Sequence, residues 1–203
     1  VSPVALFPQY RDVQTLAGAD RVHPADLWPV ERRFREPDLE VTASPLRYGA
    51  GARARLDAAV LKIVKTGDRR AARSMRDTCL GFVASQHDRQ VRAFWKICAG
   101  FFEACMEGLL PPDVYVKRVA SRVLMQYATL AKGDKTVADR LVQDLLFFCS
   151  QAQNVDGART PALQAVRDAF ALDRFKPVDY ETVRFGRFDP ALLAQARKRI
   201  AAA

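Results

Sequence analysis

Histidine is scarce in this sequence: two among 203 residues, His23 and His87. Imidazole is the commonest general acid–base group, so its scarcity weighs against an acid–base enzyme. His23 precedes a proline in a proline-rich stretch, which favours a surface position. His87 stands at the Gln86-His87-Asp88 junction between two helical patterns, where a solvated or capping role is ordinary. No HExxH, no paired Cys/His cluster and no Asp-rich calcium loop occur. The only G-x-G, Gly49-Ala50-Gly51, lies inside a helical pattern with no strand before it, so it builds no phosphate cradle. There is neither a GxSxG elbow nor a kinase signature. These absences argue against catalysis and lead us to expect no metal and no cofactor. The four cysteines are Cys79, Cys98, Cys105 and Cys149, the nearest two seven apart. That spacing fits no zinc or redox motif, and their apolar neighbours predict buried free thiols in a reducing cytoplasm. No apolar run approaches the ~18 residues of a membrane span. No charged-then-apolar leader is visible. Val1 stands where a Met would open a complete chain, so the sequence reads as a piece of something longer.

Present instead is a long series of helical patterns. The chain is 49% hydrophobic and 27% charged, enough apolar content for a packed core. Periods of 3.6 dominate and no stretch alternates long enough for a strand. A helix is predicted from about Pro8 to Ala17, stopped by Gly18. A charged stretch follows with Pro24, Pro29 and Pro37, one possible helical turn at Ala25–Trp28, and Trp28 and Phe34 as anchors. Further helices are predicted from Ser44-Pro45 to Thr66, from Asp68 past Phe82, from Asp88 to Glu107, and from Pro112 to Lys132. Three more follow: one after the Gly133-Asp134 stop and cap, one from Thr160-Pro161 to Phe170, and one from Ala191 to Ala202. The boundaries follow capping residues, first-turn prolines and terminal glycines. Short connections force sequential helices antiparallel, so the expected fold is an all-α, up-and-down antiparallel bundle. The organisation reads as residues 1–44, an N-terminal helix and linker; 45–171, the bundle; and 172–203, a tail with a last helix. Phe94, Phe101, Val123, Leu141 and Leu145 are predicted core, and Glu103 and Glu107 solvent-facing.

Net charge is +9, unevenly spread. Residues 45–90 hold ten basic and four acidic side chains, so most of the excess sits there. Arg69, Arg73 and Arg76 fall three or four apart and share one helix face. They are expected to reach solvent as a docking surface for an acidic partner; the plainer alternative is a solvated face with local pairing, such as Asp77 with Arg73. A basic nucleic-acid-binding domain is the alternative. The sequence lacks both a recognition-helix motif and an aromatic stacking platform, which makes nucleic acid the weaker choice.

Histidine phosphotransfer domains are also antiparallel bundles, with a mid-helix phosphoacceptor in an H-x-x-K-G context. His87 is followed by Asp88, Arg89, Gln90 and Val91, without that Lys or Gly. Asp88 would repel a phosphoryl group, so His87 is a poor phosphoacceptor and none is assigned.

The run Val137-Ala-Asp-Arg-Leu-Val-Gln-Asp-Leu-Leu-Phe-Phe-Cys-Ser-Gln-Ala152, followed by Val166-Arg-Asp-Ala-Phe-Ala-Leu172, resembles the amino-terminal region of ChpA/PilL-type kinases. These are CheA-type hybrid histidine kinases of the type IV pilus chemosensory system. Phe94–Glu103, Val116–Val119, Val4–Pro8 and Asp26–Pro29 fit the same pattern, and the twitching-motility protein FimL is similar over that region. The resemblance implies an Hpt-like unit, in a kinase or in a free-standing FimL-like protein. Its work would be to dock a protein partner of the pilus system or to space active units. It carries over no phosphoacceptor and no ATP-binding segment. It also implies that the helix before Gly18 finishes a preceding unit, and that the one from Ala191 leads into the next.

Overall fold

The computed structural model describes residues 2–29, 33–153 and 159–182. Among these residues there is no strand. The helices are α1 (Phe7–Leu16), α2 (Ala50–Thr66), α3 (Arg69–Ser85), α4 (Arg89–Met106), α5 (Val114–Ala131), α6 (Asp139–Gln151) and α7 (Pro161–Ala169), with short 3₁₀ turns at Pro3–Leu6, Pro24–Leu27 and Leu172–Arg174. The helix expected from Ala191 lies outside the described residues.

Local chemistry sets most of these boundaries. The Asp68, Asp88 and Asp113 carboxylates accept backbone N–H groups in the first turns of α3, α4 and α5 at 2.9–3.0 Å. Each satisfies a donor that the helix start leaves unpaired. Gly67 ends α2 at φ +64°, a left-handed position that glycine takes without strain. Two predicted starts are corrected by tertiary contacts. The helix expected from Pro45 begins at Ala50, because residues 44–49 form an extended strap. Leu46 N–H donates to the Gly81 carbonyl at 2.9 Å, and the Tyr127 hydroxyl bonds both the N–H and the carbonyl of Gly49. The helix expected just after Asp134 begins at Asp139. Gln126, reaching from α5, donates to the Thr136 carbonyl at 2.8 Å and accepts the Ala138 N–H at 2.9 Å, which holds the connection open.

The helices form a bundle around α4. α4 packs on α3, α6 and α7; α2 packs on α3 and α5; and α5 closes the ring against α6. α5 therefore lies beside α2 and α6 rather than beside its predecessor α4. The connection through Gly108 and Pro111-Pro112 is long enough to make that crossing. Phe94, Phe101, Val123, Leu141 and Leu145 are all buried, as predicted. Gly100 brings α7 close to α4, since a Cβ there would stand 2.9 Å from Val166 Cγ2 and 3.2 Å from the Ala162 carbonyl.

The proline-rich N-terminal stretch joins the same core. Val4, Phe7, Val22, Ala25 and Trp28 are buried in it. Phe7 meets Tyr115 edge-on at 5.2 Å and Trp28 meets Phe147 at 5.8 Å. Phe34, expected as a second anchor, is half exposed beneath the Arg89 guanidinium. Beyond it, Glu36 accepts from Arg92 and from the buried Lys96, whose Nζ also donates to the Pro37 carbonyl. Burial alone would raise the Glu36 pKa, but these cations hold it below the usual carboxylate range. The chain before α2 is thereby strapped to α4.

Candidate functional site

The three arginines singled out on α3 do not share one role. Arg69 turns toward α4 and donates from Nε to the Met106 carbonyl at 2.7 Å, capping that helix's C-terminus. It lies over Gly108, whose φ of +69° lets the chain turn beneath the guanidinium. Arg76 reaches Glu103 of α4 at 3.3 Å and Asp77 at 2.9 Å. Asp77 thus pairs with Arg76, and not with Arg73 as the solvated-face alternative had it. Of the predicted docking set, Arg69 and Arg73 are both exposed and Arg76 is half-buried, and Arg73 is the one that makes no hydrogen bond or ion pair among the described residues. Elsewhere in the basic segment, Arg53 pairs with Asp57 and Arg89 with Glu36, so its excess charge is partly neutralised.

Glu103, expected at the surface, is buried. Its carboxylate accepts the Leu163 N–H at 3.1 Å, in the first turn of α7, where the Thr160 side chain makes no capping bond. Burial raises its pKa, against the pull of that N–H and of Arg76. Arg167 performs the converse service. This buried side chain points Nη1 at the carbonyls of Cys149, Ser150 and Ala152, the orphan acceptors at the end of α6. Charged side chains from neighbouring helices therefore close several helix ends that local sequence leaves open.

His23 is also corrected, from the surface to 3% exposure. Its Nδ1 accepts the Ala25 N–H at 3.0 Å, and three rings, Tyr115, Phe147 and Phe148, meet it edge-on. Burial first, and then Arg21, Arg122, Arg140 and Arg118, push its pKa down to about 3. The 3.3 Å approach of Nδ1 to Asp144 is consequently a contact of a neutral ring, not an ion pair. The Asp144 carboxylate, itself buried, is held by Arg21 and Arg122, both on Oδ2. Arg140 pairs with Asp26 nearby. These arginines come from a loop, α5 and α6, and the sequence reading missed them as a group. The four-residue spacing of Arg118 and Arg122 was their only local signal.

His87 is exposed in the connection between α3 and α4. Cys79, Cys98 and Cys149 are buried, and burial raises the Cys98 and Cys149 pKa values, so neither is an activated thiolate. Half-buried Cys105, pushed up to about 12, lines a cleft of about 470 Å³ with Ile63, Arg69, Ala72, Leu109 and Val116. Among the described residues no three His, Cys, Asp or Glu side chains are grouped to hold a metal ion, and no helix is long and apolar enough to cross a membrane.

No curated protein and no solved structure matches the chain. A family model does: that of the FimL scaffold protein second domain, over residues 41–183. This span runs from the strap before α2 to just beyond Tyr180, and it contains α2 to α7. With well over half of its length matched, the chain belongs to the family of FimL scaffold protein second domains.

Proposed function

We propose that this chain is a non-catalytic, Hpt-like interaction or spacer module of pilus chemosensory signalling, working in the cytoplasm to bring together proteins that control type IV pilus motility. The match of residues 41–183 to a scaffold-protein domain carries this reading. It favours the FimL-type relative over a tandem unit of the kinase. The buried polar side chains fit a scaffold, since Lys96, Glu103, Gln126 and Arg167 all bond backbone groups rather than converge on a cleft. His87 lies outside any helix, beside Asp88, and is no phosphoacceptor. Arg73 heads a docking face on α3, with Arg69 and Arg76 positioned behind it.

Two measurements test this. Incubated with an active CheA-type kinase and ATP, the chain should take up no acid-labile phosphate. Uptake that disappears in His87→Gln would overturn the non-phosphorylatable reading. The immobilised chain should also capture a purified soluble component of a type IV pilus chemosensory system, and Arg73→Glu should weaken that capture. If no component binds, the scaffold reading fails; if binding ignores Arg73, the α3 face is not the docking surface.

A further inference from the structure

α5 carries a second face whose chemistry is more specific than that of α3. Val114, Arg118, Arg122 and Met125 follow one another at spacings of four, four and three, so they form one stripe along the helix. α5 packs on α2 and α6, and this stripe is turned away from the core. Met125 is 69% exposed and Val114 48%, so both ends of the stripe present apolar side chains to solvent. Between them stand the two arginines. Arg118 has the Tyr115 ring under its guanidinium at 5.8 Å and makes no hydrogen bond or ion pair among the described residues. Arg122 is half-buried and held by Asp144, which also holds Arg21. Arg140, on the neighbouring α6, is more than half exposed and pairs with Asp26.

The local charge does not balance. Four guanidinium groups face two carboxylates, and one of those, Asp144, is buried. Arg21 and Arg122 share a single oxygen of Asp144, so among the described residues most of their N–H donors are unspent. The carboxylate also fixes both side chains, and a guanidinium already fixed loses little entropy when it binds. Positive charge with exposed methionine is the composition of protein interfaces, where arginine and methionine are enriched. A nucleic-acid backbone would use the arginines and gain nothing from Val114 and Met125.

We propose that the α5 stripe, with Arg21 and Arg140 at its flank, is a docking surface for an acidic amphipathic segment of a partner protein. The partner's carboxylates would meet Arg118, Arg122 and Arg140 as bidentate pairs, and its apolar side chains would cover Val114 and Met125. This surface is separate from the α3 face, and the inference stands whether or not Arg73 docks anything.

The probe is a fluorescent synthetic peptide of about 15 residues with leucine at helical three-and-four spacing and glutamate elsewhere. Its binding to the whole chain is followed by anisotropy at about 50 mM salt, where charge pairing is little screened. The peptide should bind, and Arg118→Gln should weaken it about tenfold, with Met125→Ser costing a few-fold. Arg73→Gln, an equal charge change on α3, should leave binding within about twofold. Arg118 has no hydrogen bond to lose and Met125 is exposed, so both variants keep the fold. Failure of the peptide to bind overturns the proposal, as does equal weakening by Arg118→Gln and Arg73→Gln. Single-stranded DNA is the competing probe. If it binds more tightly than the peptide and depends on Arg118 but not on Met125, the surface is a polyanion site and the protein partner is wrong.

Discussion

The arginines of α3 and those of α5 share one sequence cue, a three- or four-residue spacing along a helix face, yet the bundle uses them differently. On α3 the row runs beside α4, which offers an unpaired carbonyl at Met106 and the buried Glu103 carboxylate. Arg69, although exposed, spends its Nε on the first and half-buried Arg76 pairs with the second, while Arg73 makes no bond among the described residues. On α5 the outward groups are fewer: one buried carboxylate serves both Arg122 and Arg21, and Arg118 has only an aromatic ring. Positive charge therefore stays at the α5 surface. The contrast teaches that a helical row of cations becomes structural or available according to the unsatisfied acceptors its neighbours place within reach, which its own spacing does not reveal.

The largest expected effect comes from the most structural arginine. Arg167→Met keeps the volume but strips three carbonyls at the end of α6 of their donor, and leaves Asp173 unpaired. We expect it to lower unfolding free energy by about 3–4 kcal/mol, read as a fall in the urea midpoint at constant slope. A loss below about 1 kcal/mol would mean that water caps this end equally well.

Next in size is His23, which lies under the α5 arginines. Its folded pKa, about 3, is far below the ordinary 6.5. Between those values the unfolded chain binds a proton that the folded chain refuses. His23 therefore contributes stability that is full above about pH 6.5 and is lost as pH falls, at up to about 1.4 kcal/mol per pH unit. His23→Asn keeps an acceptor for the Ala25 N–H and removes the titration. The unfolding free energy of the wild type should fall below pH 6.5 relative to this variant. Parallel profiles would show that the imidazole titrates alike in both states, and a wild type that gains on the variant below pH 6.5 would show that it charges and pairs with Asp144.

Smaller effects separate the α3 arginines from one another. Arg69→Ala should cost about 1 kcal/mol in thermal unfolding, through the lost cap on α4. Arg73→Ala should stay within about 0.5 kcal/mol of wild type. If the two cost the same, the difference between a bonded and an unbonded arginine on this helix disappears. A combined charge reversal of Arg69, Arg73 and Arg76 is consequently a stability experiment as much as a binding one, because two of the three hold helix ends and buried charge.

The sequence alone determined the class of fold and much of its core. The 3.6-residue apolar stripes and the Asp starts at 68 and 88 depend on neighbours within a turn or two, so the all-α reading and the burial of Phe94, Phe101, Val123, Leu141 and Leu145 were legible. The α3 row was legible too, but only as a row. Tertiary structure decided what each charged side chain does, because the partners are distant in sequence: Glu103 caps α7 sixty residues on, Gln126 holds the start of α6, and Lys96 grips Glu36 and Pro37. The same reason moved His23 from a presumed surface into an aromatic cage, and gathered Arg21, Arg122 and Arg140 around two carboxylates. A helix end or a buried carboxylate must find its partner somewhere, and in this chain the partner comes from whichever helix the folded bundle lays beside it.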